Sequence, residues 1–269
     1  MKKVNYPMES SEESIRLDLK TDTAVIEKQA LWAGIKPGMR IADIGCGPGK
    51  ITSTLYTLAS PGGSALGIDG SSTRLEYARK HYGREGVEFV CKNILDPLDD
   101  IGTFDFIWIR FVLEYYRDNA PELLKNITNL LKPGGILFLL DLDHNPLNHY
   151  GLPDRLNNAL FSIMDIFENE YNFDPYIGRK LYSYIYDLGY ENIDIDVSVN
   201  SLVFGQLREI DYFNWMKKVE VIPKLIHYDF HEYEGGYDEF ITEFETYMNN
   251  PRRFSYTPLI CCRGQKPAS

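Results

Sequence analysis

A glycine turn between an apolar segment and a helical segment is the feature that most constrains this chain. Residues 41–44, apolar except for Asp43, lead into residues 45–49, Gly-Cys-Gly-Pro-Gly, and Pro48 stands where the first turn of a helix tolerates proline. Glycines let the backbone bend sharply and approach a ligand with no Cβ in between. Asp69 follows about twenty residues later, where an acid can accept both hydroxyls of a ribose. The sequence therefore predicts an α/β fold with a site for a nucleoside-bearing cofactor.

The first half of the chain alternates between strand and helix patterns. Short apolar runs are separated by segments with helical periodicity, and the clearest of these helices begins at Pro121. Strands that alternate with helices predict a parallel sheet with crossover helices. The predicted strands cover residues 40–44, 65–69, 87–91, 104–109 and 136–142, with a half-exposed strand at 193–199 and a last strand at 256–262.

Beyond residue 144 this alternation stops. Residues 145–175 and 201–250 combine aromatic residues with helical patterns, and we find no internal repeat, low-complexity tract or flexible linker. We therefore expect a single domain over residues 1–269, in which these two insertions form a cap. The remaining parts of the predicted domain are an N-terminal helical segment, 1–36, and a cofactor-binding core, 37–144.

The composition describes an acidic chain with a sizeable core. Its 269 residues are 44% hydrophobic and carry a formal net charge of −11, which disfavours binding to nucleic acid in general. The cysteines show no metal-ligand spacing and are typical of a reducing compartment, so cytoplasm is the expected location. No leader pattern or long apolar run predicts export or membrane spanning. The oligomeric state stays open between monomer and homodimer.

The whole motif from Asp43 to Gly49, Asp-x-Gly-x-Gly-x-Gly, resembles the first motif of the class I S-adenosylmethionine-dependent methyltransferases. Segments 110–115, 133–135 and 174–179 are similar to the group that includes ubiquinone, menaquinone and small-natural-product methyltransferases. This resemblance implies a Rossmann-like, seven-stranded, mostly parallel sheet with helices on both faces and an antiparallel last strand. It also implies S-adenosylmethionine as cofactor, with S-adenosylhomocysteine as product.

The resemblance also implies roles for individual residues. Asp43 would face the methionyl amine, Gly45 and Gly47 would line the methionine part, and Asp69 would bind the ribose. Asn93 and Ile94 occupy the adenine-flanking position, although many relatives have an acid where this chain has Asn93. The other predicted cofactor residues are Tyr6, Arg16, Cys46, Gly70 and Arg110.

Three of these residues have a simpler interpretation. Ser10 and Glu13 have the spacing of a capping box, so residues 10–20 either fold over the cofactor, with Arg16 facing its carboxylate, or form a frayed helix on the sheet edge. Arg110 either contacts the cofactor region or pairs with a surface carboxylate. Cys46 satisfies the need of the turn for a small side chain, and we expect no nucleophilic role for it.

Methyl transfer requires little protein chemistry, because a sulfonium already activates the methyl group and placement can supply much of the acceleration. His144, just beyond the fifth strand, is the candidate general base for an acceptor that needs one. A metal site from Asp141, Asp143 and His144 is disfavoured, because alternating residues of a strand point to opposite faces. We expect no metal.

The caps are expected to bind the acceptor. The chain contains 19 Tyr, 14 Phe and 3 Trp, and an aromatic-lined pocket suits a planar or apolar small molecule, although packing alone explains most of these residues. The leading hypothesis is methyl transfer to a small organic acceptor. The alternatives are an RNA or protein methyltransferase, a non-catalytic nucleoside-binding protein of the same fold, and a nucleotide-dependent oxidoreductase. The aromatic residues of the predicted caps include Tyr150, Phe161, Phe167, Tyr171, Phe173, Tyr212, Phe213, Trp215, Tyr228 and Phe230.

Overall fold

A computed structural model describes residues 13–268 of the chain. Tyr6 and Ser10, which the sequence analysis assigned to the cofactor site and to a capping box, lie outside the described residues. The described chain contains helices α1 (Glu13–Lys20), α2 (Thr23–Ala33), α3 (Lys50–Ala59), α4 (Ser72–Tyr82), α5 (Ala120–Asn129), α6 (Asp154–Tyr171), α7 (Leu181–Asp187), α8 (Glu209–Leu225) and α9 (Gly236–Asn249).

Eight strands form one sheet in the described part of the chain. The predicted parallel portion is confirmed, because the first five strands pair in parallel in the order β3-β2-β1-β4-β5. The predicted antiparallel last strand is also confirmed, since β8 runs antiparallel to β5 and to β7. The strands are β1 (Arg40–Ile44), β2 (Ser64–Asp69), β3 (Val87–Cys91), β4 (Phe104–Arg110), β5 (Leu131–Leu142), β6 (His149–Tyr150), β7 (Glu191–Phe204) and β8 (Phe254–Gln265).

Two details of the sheet differ from the prediction. The eighth strand is the two-residue β6, which pairs with Ser255 and Phe254 at the start of β8 and has too few residues to leave a periodic pattern. Strand β7 extends to Phe204, beyond the predicted end near residue 199, because its pairing with β8 continues past a register shift between Val199 and Ser201. The helical part of the second insertion consequently begins later than predicted, at α8.

Apolar side chains cover both faces of the sheet. On one face, α2 and α3 pack Ile26 and Leu55 against Trp108 and Phe138. On the other face, α5 and α7 belong to a cluster that includes Ile107 and Leu139. Helices on both faces of the sheet confirm the predicted Rossmann-like layering.

Helices α6, α8 and α9 form an apolar cluster of their own. Phe167 of α6, Trp215 of α8 and Phe244 of α9 are buried in it, and Tyr115, which follows β4, packs against it. The cluster thus joins the two predicted cap insertions above the end of β4. None of the described helices combines the length and apolar composition of a bilayer span.

Candidate active site

A cavity of about 1220 Å³ lies where the carboxyl ends of β1, β2 and β4 meet α1, α6 and α8. This is the edge at which open α/β sheets bind their ligands. Nine of the twelve predicted site residues line the cavity: Arg16, Gly45, Cys46, Gly47, Asp69, Gly70, Asn93, Ile94 and Arg110. The three others are Asp43, His144 and Tyr6, the last of which lies outside the described residues.

The glycine turn presents its backbone to this cavity. Gly45 has φ +74°, and a Cβ placed there would lie 2.4 Å from Cγ2 of Val112, so the position excludes a larger residue. Gly47 has φ +54°, and a Cβ there would meet only Leu17 Cδ1, at 3.9 Å, among the described atoms. The open space in front of Gly47 is therefore room that a ligand can fill and a side chain would obstruct.

Asp69 is held in place by the turn that it faces. Its carboxylate is 5% exposed and accepts hydrogen bonds from the backbone nitrogens of Gly47 at 2.9 Å and Ser71 at 2.8 Å. Arg74 lies 3.3 Å from the same carboxylate. Arg74 and Ser71 both contact Oδ1, whereas Oδ2 accepts only from Gly47 among the described residues and so retains a lone pair for a ribose hydroxyl. The fixed carboxylate at the end of β2 suits a nucleoside.

Asp43 lies beneath the turn, outside the cavity lining. It accepts a hydrogen bond from Thr52 Oγ1 at 2.6 Å, and burial raises the pKa of its carboxyl to about 7. Arg110 lines the cavity above it, and burial lowers the pKa of its guanidinium to about 10. Its Nε is buried without a hydrogen-bond partner among the described residues. An unsatisfied buried donor beside a cavity fits a ligand with a polar or anionic group.

Cys46 does not have the environment of a nucleophile. Its side chain is buried, and burial together with the nearby carboxylates of Asp43 and Asp69 raises the pKa of its thiol well above the ordinary value. The thiolate form is therefore disfavoured. This agrees with the prediction of a small turn residue with no chemical role.

Helix α1 covers one side of the cavity. Arg16, Leu17 and Lys20 line it, and the carbonyl oxygen of Asp18 accepts a hydrogen bond from Lys50 Nζ at 2.8 Å. The hydroxyl of Tyr82 donates to the carboxylate of Asp18. These contacts place the described end of the N-terminal segment over the predicted cofactor site, in accord with the first of the two interpretations drawn from the sequence.

His144, the predicted general base, does not line the cavity. It has φ +52°, its Nδ1 is 2.5 Å from Asn148 Oδ1, and its ring stacks on Tyr176 with a centroid distance of 5.4 Å. The imidazole is thus committed to Asn148 of the same turn and to Tyr176 of the segment before α7. The geometry does not support the predicted catalytic role of His144.

The disfavoured metal site also finds no support in the geometry. Asp143 forms a two-point ion pair with Arg179, with Nε to Oδ1 at 2.8 Å and Nη2 to Oδ2 at 2.9 Å. Asp141 accepts hydrogen bonds from the backbone nitrogens of Leu142 and Glu114. Within residues 14–268, no group of three or more His, Cys, Asp and Glu side chains is arranged to hold a metal ion.

Besides Asp69, Glu114 is the acidic residue that lines the cavity among the described residues. It follows β4 and is 5% exposed, and the neighbouring polar side chains of Tyr115 and Asn145 favour its ionised form. Burial raises the pKa of this carboxyl to about 7, while the ammonium of Lys218 acts in the opposite direction. Burial and the charge of Glu114 also raise the pKa of Asp141. Glu114 can therefore exchange a proton near neutral pH.

Sequence reasoning mentioned Glu114 only as part of the segment that resembles the family and did not consider Lys218. A glutamate directly after an apolar strand was an available signal for the first residue. No signal was available for Lys218, because it belongs to a helix more than one hundred residues further along the chain, and its proximity to Glu114 depends on how the cap folds.

Apolar side chains from the caps complete the cavity. Of the ten cap aromatic residues considered in the sequence, Phe167, Tyr171, Phe173 and Phe213 line it, together with Met164, Ile222 and Leu225. Trp215, Tyr228 and Phe230 are instead buried in the cap cluster, and Tyr150 is 73% exposed. The cavity therefore has a polar half at the glycine turn and a half under α6 and α8 whose wall is largely apolar, with Asn214, Lys217 and Lys218 of α8 as its polar members.

Part of the chain is similar in sequence to known methyltransferases. Residues 42–139 match the family described as methyltransferase domain. The chain is 32% identical over 119 residues to a demethylmenaquinone methyltransferase of Lactococcus lactis, an alignment that covers 42% of this chain and 46% of that protein. It is 30% identical over 110 residues to a ubiquinone biosynthesis O-methyltransferase of Coxiella burnetii, covering 40% and 45%. The chain thus spans about half the length of the relatives it matches.

Solved structures share the fold over most of the chain. A putative methyltransferase from Bacillus halodurans superposes with a TM-score of 0.59 at 15% identity, covering 91% of this chain and 99% of that one. Phosphoethanolamine N-methyltransferase 2 of Haemonchus contortus, solved with S-adenosyl-L-methionine, gives a TM-score of 0.53 at 17% identity and covers 91% and 52%.

The matched segment contains the glycine turn, Asp69 and Glu114, and its five strands have the order and direction that the resemblance implied. The polar half of the cavity fits a nucleoside with an amino-acid end, through the carboxylate of Asp69, the open face of Gly47 and the unpaired donor of Arg110. Residues 42–139 therefore match a methyltransferase domain, and this segment has the sheet order and the cavity expected of a class I S-adenosylmethionine-dependent methyltransferase.

Proposed function

We propose that the protein transfers the methyl group of S-adenosylmethionine to a small organic acceptor bound under α6 and α8. The observation that carries this proposal is the division of one cavity into a polar half at the glycine turn and an apolar half under the caps. A methyltransferase needs two adjoining binding sites of this kind, because the acceptor atom must approach the methyl group in line with the bond that breaks. We place the reaction in the cytoplasm, as the sequence analysis expects.

In the polar half, we assign the ribose to Asp69, the adenine surroundings to Asn93 and Ile94, and the methionine part to the backbone of Gly45 and Gly47. Asp43 lies beneath this turn and is held by Thr52, so its influence on the methionyl amine is electrostatic. Arg110 and Arg16 line the cavity, and we assign the cofactor carboxylate to them. Tyr6 remains a predicted cofactor residue.

When bound, the cofactor supplies an activated methyl group, whose bond to the sulfonium breaks with its electron pair returning to sulfur as a new bond forms to the acceptor atom. The chain contributes placement and exclusion of water. We infer that Glu114, rather than His144, accepts the proton released by an acceptor hydroxyl or amine, because Glu114 lines the cavity and burial raises the pKa of its carboxyl to about 7. Asp141 positions this carboxylate by accepting a hydrogen bond from the backbone nitrogen of Glu114 at 3.2 Å.

The acidity of the chain and an apolar site under the caps favour a small acceptor over RNA. The proposal is tested by incubating the protein with S-adenosylmethionine carrying a labelled methyl group and a metabolite extract. We expect label in a low-molecular-mass product, and we expect Gly47→Val to abolish this labelling. Label in RNA or protein alone would contradict a small acceptor. Binding of S-adenosylhomocysteine without any labelled product would favour the non-catalytic alternative.

A further inference from the structure

The cavity wall carries an excess of positive charge, although the chain as a whole is acidic. The formal net charge of the protein is −11, yet the described side chains that line the cavity include six cations and two carboxylates. A cavity whose charge opposes that of its own protein concentrates ligands of the opposite sign. The carboxylates are Asp69 and Glu114, and the cations are Arg16, Lys20, Arg74, Arg110, Lys217 and Lys218.

The cofactor accounts for only part of this excess. Arg74 is paired with Asp69, and Arg110 interacts electrostatically with Asp43, so these two cations belong to the polar half. The two lysines of α8, Lys217 and Lys218, lie in the half built by the caps. Lys217 is close enough to Glu220 for an ion pair, at 3.3 Å. Lys218 is thus the cation of the acceptor half that needs explanation.

Lys218 is half-buried, and its contacts do not neutralise its charge. Its Nζ is 3.4 Å from Asn145 Oδ1 and 4.8 Å from the ring centre of Trp215. Among residues 14–268, no carboxylate oxygen lies within 4.0 Å of this Nζ. The charged groups that act on it are Glu114, which favours its protonated form, and Lys20 and Arg16 of α1, which oppose it.

An ammonium taken out of water without a counterion is costly, and positive neighbours increase that cost. Burial and these neighbours accordingly lower the pKa of Lys218 to about 8. An anion bound beside Nζ would remove the cost, and Lys20 across the cavity would contribute to the same attraction. The apolar wall of Phe167, Phe173 and Phe213 leaves room beside this cation for a hydrocarbon body.

We propose that the acceptor is a small organic anion, whose carboxylate or phosphate is bound by Lys218 and whose apolar body lies against the aromatic wall. This inference rests on the proposed function, since it concerns the acceptor half of the same cavity. With its anionic end bound by Lys218 on α8, the acceptor would present its nucleophilic atom to the methyl group.

The test uses three probes that share one ring: benzoate, phenyl phosphate and neutral benzamide. Each is titrated calorimetrically into the full-length protein saturated with S-adenosylhomocysteine, at low ionic strength and pH 7. We expect at least one anion to bind at least about tenfold more tightly than benzamide, because a charge-assisted contact contributes more than a neutral one. The preferred anion distinguishes a carboxylate site from a phosphate site.

Lys218→Met should lower the affinity for that anion about tenfold or more and leave the affinities for benzamide and S-adenosylhomocysteine unchanged. Lys218→Arg, which retains the charge, should keep most of the anion affinity. This variant keeps the inference testable if the methionine variant does not fold. The matched control is Lys224→Met, which removes the same charge from the same helix at an exposed lysine outside the cavity.

The inference is overturned if benzamide binds as tightly as both anions, or if neither anion binds at concentrations up to about 10 mM, the weak range expected for such small ligands. It is also overturned if Lys218→Met and Lys224→Met have the same affinity for the preferred anion. These outcomes are separable from failure of the proposed function. That function fails if the protein does not bind S-adenosylhomocysteine, which is measured in the first titration without any probe.

Discussion

Replacing Asp69 by alanine tests the cofactor assignment most directly. In the structure, the backbone nitrogens of Gly47 and Ser71 each use one lone pair of the Asp69 carboxylate, one on each oxygen. Oδ2 keeps a second lone pair for one ribose hydroxyl, and a hydroxyl bound at Oδ1 would share that oxygen with Arg74, which lies 3.3 Å away. The substitution would therefore remove two bonds to the cofactor. It would also release the two protein donors that shape the turn.

The magnitude follows from these contacts. A hydrogen bond to a charged group contributes about 1.5 to 3 kcal/mol, so two such bonds contribute about 3 to 6 kcal/mol before water refills the site. We expect a loss of at least about 2 kcal/mol, which corresponds to roughly a 30-fold increase in Kd for both S-adenosylmethionine and S-adenosylhomocysteine. Asp69→Asn should lose less than the alanine variant, because its amide oxygen can still accept from one backbone nitrogen.

Isothermal titration calorimetry measures these affinities, and thermal melting of the free proteins shows whether the variants remain folded. The matched control is Asp99→Ala, which removes the same charge from an exposed aspartate that does not line the cavity. A folded Asp69→Ala variant with the wild-type Kd would refute the assignment. Tighter binding of NAD than of S-adenosylhomocysteine to the wild-type protein would do the same.

Three further substitutions test the remaining assignments. Gly47→Val should abolish cofactor binding in a folded protein, because its Cβ enters the space left for the ligand at φ +54°; retained affinity by calorimetry would place the ligand elsewhere. The wild-type rate should fall below about pH 7, where the carboxyl of Glu114 is protonated and accepts no proton. Glu114→Gln should keep the affinity for S-adenosylhomocysteine, lower the turnover and abolish this fall in rate. Burial raises the pKa of Glu114 in the folded protein above its value in the unfolded chain, so ionisation of this carboxyl lowers the free energy of unfolding as pH rises from about 4.5 to 7. Thermal melts at pH 8 should therefore show the glutamine variant at least as stable as the wild-type protein. A less stable variant would contradict the assignment of Glu114 as a buried carboxylate. His144→Ala should leave turnover within about twofold of wild type in the labelled-methyl assay, since the imidazole contacts Asn148 and Tyr176 and does not line the cavity. A loss of turnover of about 10²-fold without a change in cofactor affinity would identify His144 as the base.

The sequence by itself determined the parallel half of the sheet and most of the polar half of the cavity. The strand and helix periods between residues 40 and 142 are local patterns, and they predicted the order of elements because a parallel sheet needs a crossover after every strand. The glycine turn and Asp69 were equally readable, since a single strand–turn–helix unit and the tip of the next strand hold the cofactor residues at fixed spacing.

The tertiary structure decided the acceptor half. Glu114 follows strand β4, whereas Lys218 lies on helix α8. Lys218 contacts Asn145, which is 73 positions away in the sequence. No spacing rule connects such residues, because their proximity depends on how α6 and α8 pack over the end of β4. His144 was plausible in the sequence for its place after β5. In the structure, His144 has φ +52° and its ring contacts Asn148 and Tyr176 instead of lining the cavity. His144 and Glu114 both follow strands at the same edge of the sheet, and only three-dimensional packing decides which of the two lines the cavity.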